Sequence, residues 1–145
     1  TIRARAVTVR CSHCQKCCQA TKMELSSADI KRLERRGYDR ADFSTADSDG
    51  IHRLRNVSGW CFFYDSQARR CREYRSRPLG CVIYPVILSM DGEAMIDDLC
   101  PVGNTLTREE FAEKERTLHR LIETIDGEAR RDVNKRERGL GLRQD

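Results

Sequence analysis

Four cysteines fall within eight residues at the start of this chain, Cys11-Ser-His-Cys14-Gln-Lys-Cys17-Cys18. Two thiolates three residues apart on a tight turn can aim their sulfurs at one ion, which is why C-x2-C recurs in metal sites. A third cysteine three residues further on extends the pair into a chelating loop. Four more follow at wide intervals, Cys61, Cys71, Cys81 and Cys100. Nine residues separate the first three of these from one another, too many for local chelation, so the fold must carry them back to the N-terminal loop. Metal binding would then close loops across most of the chain and couple folding to occupancy.

Disulfides are the competing use of an even cysteine count. Cysteine is eight of 145 residues, below the roughly 8–10% of disulfide scaffolds, and neighbouring Cys17 and Cys18 are poorly placed to bridge each other. No charged-then-apolar start marks a secretory signal, so a reducing, cytoplasmic location is expected. Eight sulfurs make two sets of four, the number that tetrahedral zinc or a cubane iron–sulfur cluster requires. Side chains of adjacent cysteines diverge, so Cys17 and Cys18 serve two nearby centres more easily than one. One partition puts Cys11, Cys14, Cys17 and Cys100 on one centre and Cys18, Cys61, Cys71 and Cys81 on the other. Cys100-Pro101 completes the ligand grammar of many [4Fe–4S] proteins, yet spacing alone leaves Zn2+ as an alternative. His13 lies inside the loop, where a solvent-facing or hydrogen-bonded role is expected ahead of ligation.

The remaining chemistry is sparse. There is no Gly-rich phosphate loop and no nucleophile elbow, so a stand-alone enzyme is not expected. Asp97-Asp98 reads as a solvated turn beside Cys100, and His52 and His119 as surface histidines. Arg69, Arg70, Arg72, Arg75 and Arg77 crowd one segment near Tyr74, a composition that can bind nucleic acid. The formal charge of +4 counts the thiols as neutral, however. A four-thiolate site carries about −2 whether it holds Zn2+ or an oxidised cluster, so two filled sites bring the protein to neutrality. The arginines are thus equally suited to compensating thiolate charge.

The elements that must position these residues are short. Ile, Leu, Val and Phe make up only about a fifth of the chain, a thin core for this length, and cross-linking by metal would supplement it. No stretch approaches the ~18 apolar residues of a membrane span, so no membrane partner is expected. Residues 1–10 carry Arg3, Arg5 and Arg10 with alternating apolar positions, Val7 and Val9 among them, and predict an extended arm or edge strand leading into the metal loop. Ser26 to Gly37 predicts a capped helix with Ile30 and Leu33 on one face. Residues 44–50 read as a polar loop, and Gly59 to Tyr64 as a strand whose turn at Asp65-Ser66 returns Cys71 towards Cys61. Val82–Met90 and Glu93–Ile96 flank Asp91-Gly92 as a hairpin, with Pro85 confining its strand to an edge or interrupting it. Thr107-Arg-Glu-Glu110 is a capping box opening a helix with Phe111, Leu118, Leu121, Ile122 and Ile125 on one face, and residues 128–145 read as its frayed, charged end. The expectation is a small α+β domain, irregular and metal-stapled, with short β-hairpins, a short N-terminal helix and a longer C-terminal one. The cysteine-cluster domain is assigned residues 1–126, and the charged extension or tail residues 127–145.

Cys11-x2-Cys14-x2-Cys17-Cys18, followed by Arg77-Pro78-x2-Cys81-x2-Tyr84-Pro85, resembles the YkgJ-like CxxCxxCC cysteine-cluster family of zinc- or iron-chelating proteins. The resemblance spans about residues 11–101, with Gly59-x-Cys61, Cys71 and Cys100-Pro101 at matching places. It departs from the common pattern at Gln15-Lys16 and Val86. It implies that all eight cysteines are metal ligands, with an iron–sulfur cluster as one form of the metal. A similar cysteine domain occurs in flagellin lysine methylases, but this chain has little room beyond it and methylase activity is not carried over. The function expected is metal binding, most readily an iron–sulfur centre used in electron transfer, redox sensing or cluster delivery alongside a redox or enzyme partner protein. The alternative is a structural zinc module that binds nucleic acid or protein through its arginine-rich face.

Overall fold

The computed structural model describes residues 16–142. The predicted arm, Cys11, His13 and Cys14 lie outside them. The described residues begin with a single 3-10 turn, Lys16–Cys18, and reach strand β1, Glu24–Leu25. Helix α1, Ser27–Arg35, follows as the spacing of Ile30 and Leu33 predicts. Ser26 caps it: its hydroxyl accepts from Asp29 N at 3.2 Å while Asp29 Oδ2 accepts from Ser26 N at 3.0 Å, satisfying donors that the helix start leaves free.

After the short helix α2, Arg40–Phe43, strands β2 (Ser44–Ala46) and β3 (His52–Leu54) build an antiparallel sheet of order β1-β3-β2. The predicted polar loop is therefore shorter than 44–50. Ser44, Thr45 and Ala46 find backbone partners in Leu54, Arg53 and His52, and only residues 47–51 turn. Three two-stranded ribbons follow: β4 (Asn56–Val57) with β5 (Trp60–Cys61), β6 (Tyr64–Asp65) with β7 (Arg70–Cys71), and β8 (Val86–Leu88) with β9 (Ala94–Ile96).

Two strand expectations are corrected here. Gly59 to Tyr64 is broken between β5 and β6, because one pleated strand would send Phe62 and Phe63 to opposite faces. The break lets both rings pack edge-on against Tyr38, with centroids 6.1 and 4.9 Å away. The strand predicted from Val82 starts instead at Val86, after Pro85, and its beginning belongs to helix α3, Leu79–Ile83. Pro78, with no N–H to lose, is suited to the helix start.

Helix α4, Arg108–Leu142, is a single element. Thr107 caps it, its hydroxyl accepting from Glu110 N at 3.1 Å and donating to Glu110 Oε1 at 3.1 Å. Leu118, Leu121 and Ile125 are buried against Ile83 and Val86, with Phe111 and Ile122 beside them. A separate cluster gathers Leu25, Ile30, Leu33, Phe43, Leu54, Cys61 and Phe63. The helix continues past residue 127 as the helical extension expected there, and contacts hold it as far as Val133. Glu128 accepts from Ser27 N through both carboxylate oxygens, at 3.1 and 3.0 Å. Ala129 is buried, and Asp132 Oδ2 stands 3.5 Å from His52 Nε2, so His52 has a partner that spacing did not reveal. His119 is exposed as expected.

Gly50 allows this docking. It holds φ +81°, and a Cβ there would sit 2.6 Å from the Ala129 carbonyl oxygen. Gly92 holds φ +82° with nothing within 4 Å. In urea titrations Gly92→Ala should lose about 1 kcal/mol from backbone strain alone, and Gly50→Ala about 2–3 kcal/mol because the α4 backbone must also move. Equal losses would show that the Gly50–Ala129 approach contributes nothing.

Candidate metal centre

Four separate elements converge on one cavity. The Lys16–Cys18 turn supplies Cys17 and Cys18, β5 supplies Cys61, β7 supplies Cys71 and α3 supplies Cys81. All five cysteines line a cavity of about 70 Å³, together with Met23, Phe63, Tyr64, Tyr74, Tyr84, Arg69, Arg70 and Arg77 among others. None of the six described cysteines forms a disulfide.

Local hydrogen bonds bring the sulfurs together. Asn56 Oδ1 accepts from Thr21 N at 3.0 Å and its Nδ2 donates to Thr21 O at 2.8 Å. Ala20 N donates to Gly59 O at 2.8 Å, and Gln19 bridges Trp60. These bonds lay the Cys17–Cys18 segment along the β4–β5 ribbon beside Cys61. In the β6–β7 ribbon Cys71 pairs with Tyr64, which delivers the predicted return of Cys71. Behind it, buried Glu73 accepts from Tyr38 Oη at 2.9 Å and Arg36 Nε at 3.2 Å.

Cys100 is not among the residues that line the cavity. Its backbone N donates to Asp97 O at 3.2 Å, and Tyr84 lies within electrostatic reach of both Cys17 and Cys100. Asp97 is more than a solvated turn residue, since its Oδ2 accepts from Tyr84 Oη at 2.7 Å. Burial, then that bond, drive the phenol pKa well upward. Sequence reasoning missed Asn56 and Asp97 because each acts through a partner 35 or 13 residues away, a distance that no local motif encodes.

The electrostatics favour protonated thiols. Burial pushes Cys61 up to about 11 and raises Cys71 as well. Cys81 is driven further upward by burial and by the neighbouring Cys61, Cys17 and Cys71. Cys17 is the exception: a hydrogen bond from Cys18 brings it down to about 7 and raises Cys18 in turn. Arg77 is the charge that opposes this trend, lowering Cys17, Cys71 and Cys81. Its guanidinium lies 3.9 Å over the Tyr74 ring, and Nε donates to Tyr74 O at 2.8 Å. Of the arginine segment, Arg69, Arg70 and Arg77 line the cavity while Arg72 and Arg75 face solvent.

The donor set fits a thiophilic ion, because soft sulfur ligands select zinc, copper(I) or iron–sulfur centres. Among the described residues no three His, Cys, Asp or Glu side chains stand in an arrangement that could hold a metal ion. Protonated thiols pack as small apolar groups, and drawing them onto one ion requires their deprotonation.

A domain of small antiparallel ribbons and helices built round clustered thiols defines a cysteine-rich, metal-binding class of protein. Within that class the chain belongs to the CxxCxxCC family, described as a "putative zinc- or iron-chelating domain", whose family model matches residues 10–119. No curated protein and no solved structure matches the chain. No helix among the described residues is long and apolar enough to cross a membrane.

The raised thiol pKa values set the alkaline behaviour of metal-free, reduced protein. A group whose folded pKa is raised contributes stability below its unfolded value and loses it as pH climbs through the folded one. For Cys61 that window runs from 9.0 to about 11. The melting temperature should therefore fall across this range, and Cys61→Ser should flatten the fall. A pH-independent melt from 8 to about 11 would contradict the burial of the thiols.

Proposed function

We propose that this protein holds one or two thiolate-ligated metal centres, with an iron–sulfur cluster of the [4Fe–4S] type favoured over Zn2+. It then works in electron transfer, redox sensing or cluster delivery beside a redox or enzyme partner. The observation that carries this reading is the gathering of five cysteines from four elements into one cavity beside Arg77. Family membership supports metal binding at the coarser level.

The ligands proposed are Cys11, Cys14, Cys17, Cys18, Cys61, Cys71, Cys81 and Cys100. A bound cluster would supply one-electron chemistry, and its potential depends on hydrogen bonds and charge around its sulfurs. The chain's own residues provide that surrounding. Arg77 offsets thiolate charge, the Tyr64, Tyr74 and Phe63 rings limit water, and Cys17, already near about 7, is the thiol readiest to lose its proton. The other thiols must release theirs on binding, so affinity rises with pH.

Solvent-facing Arg72 and Arg75 favour a second reading, a structural zinc module that binds nucleic acid or a protein partner. Metal and sulfide analysis with a visible spectrum, on protein purified without oxygen, separates the two. Iron and sulfide in equal amounts, with broad absorption that bleaches on reduction, is the expected result. Zinc alone, at about one ion per four cysteines, would establish the second reading, and a salt-dependent shift of a nucleic acid would extend it. Cys81→Ser should lower metal content and melting temperature together. Full metal content in both Cys81→Ser and Cys14→Ser would overturn the ligand assignment.

A further inference from the structure

Helix α1 contributes no cysteine, yet it holds the segment that delivers one. Asp29 is only 1% exposed, and three donors from two parts of the chain converge on its carboxylate. Oδ2 accepts from Ser26 N at 3.0 Å, while Oδ1 accepts from Leu79 N at 3.0 Å and Arg32 Nη2 at 2.8 Å. The same Arg32 Nη2 donates to Arg77 O at 2.7 Å, and its Nε reaches Ser76 O at 3.4 Å. Every residue from Ser76 to Leu79 except Pro78 is thus held directly by this pair. Pro78 carries the next link, its carbonyl accepting from Cys81 N at 2.9 Å. Arg77, which lines the same cavity as the thiols, leaves from the same segment.

We infer that Asp29, acting with Arg32, is the positioning residue of the cysteine site, setting where Cys81 and the Arg77 guanidinium stand relative to Cys61, Cys71 and Cys17. This inference rests on the metal-binding reading and adds to it a residue about 50 positions away in sequence that touches no metal. Mutating groups that orient metal ligands through hydrogen bonds typically costs about tenfold to a hundredfold in metal affinity or activity. Asp29 meets the demand because an ionised carboxylate accepts from all three donors, whereas asparagine has one acceptor oxygen and would turn its NH2 towards a donor.

The test is titration of reduced full-length protein with Co2+ alone against a chelator, reading the thiolate-to-cobalt charge-transfer band well below the melting temperature. Asp29→Asn should weaken Co2+ binding by about tenfold to a hundredfold and alter the band. Arg32→Lys, which keeps a positive charge beside Asp29, should shift both in the same direction by less. Glu128→Gln serves as the control, since it weakens the cap on Ser27 without touching the Ser76–Leu79 segment. It should lower the melting temperature and leave the cobalt affinity and band unchanged. Wild-type affinity and band in both Asp29→Asn and Arg32→Lys would overturn the inference, as would an equal loss in Glu128→Gln. Failure of the wild-type protein to bind Co2+ would instead strike the metal-binding reading itself.

Discussion

One buried carboxylate ties this fold together. Asp29 closes the start of α1 through Ser26 and reaches across to Leu79, where α3 begins. A carboxylate at 1% exposure is tolerable only when its oxygens are bonded and its charge is met, and Arg32 supplies the counter-charge at 2.8 Å. Because Arg32 also takes two carbonyls of the following turn, the pair joins the cluster around Phe43 and Phe63 to the segment that feeds the second cluster under α4. The two apolar clusters are separately small, and α1, β1 and α3 are the elements through which they meet.

The sulfur cavity is built on the opposite electrostatic principle. Around Asp29 every donor and acceptor is met. Around Cys61, Cys71 and Cys81, burial favours the uncharged thiol, and only Arg77 among the described residues is seen lowering several of these groups at once. A cation bound there would reverse the balance, turning thiols that resist ionisation into thiolates that need it. Metal held there would therefore link protonation, occupancy and folding. Two-residue strands such as β5 and β7 have little stability by themselves, and shared ligation of Cys61 and Cys71 would lock their ribbons together.

Local structure was legible where a capping residue and a helical stripe coincide. Ser26 with Ile30 and Leu33, and Thr107 with Leu118, Leu121 and Ile125, specify both their helices and their buried faces, because capping and amphipathicity act within a few residues. The expectations failed where a distant partner decides. Ser44–Ala46 looks polar enough for a loop but is a strand because β3 offers it a ladder. Val82 and Ile83 look like strand residues but belong to α3, whose start is held by Asp29. The stretch after residue 127 reads as a charged helical extension or tail, and it continues α4. The contacts with Ser27, Gly50 and His52 that dock residues 128–133 lie about 80 to 100 residues away in the chain.

The sequence by itself determined the chemistry. The types and spacing of the cysteines specify soft sulfur donors, and the wide gaps between Cys61, Cys71, Cys81 and Cys100 require the chain to return on itself. Which sulfurs meet was decided only by the tertiary structure. Cys17, Cys18, Cys61, Cys71 and Cys81 share a cavity that Cys100 does not line, because β-ribbon register, the Asn56–Thr21 bonds and the Asp29–Arg32 clamp set their positions. These are contacts between residues far apart in the chain, and their energies depend on burial and angle. Neither quantity exists until the chain has closed.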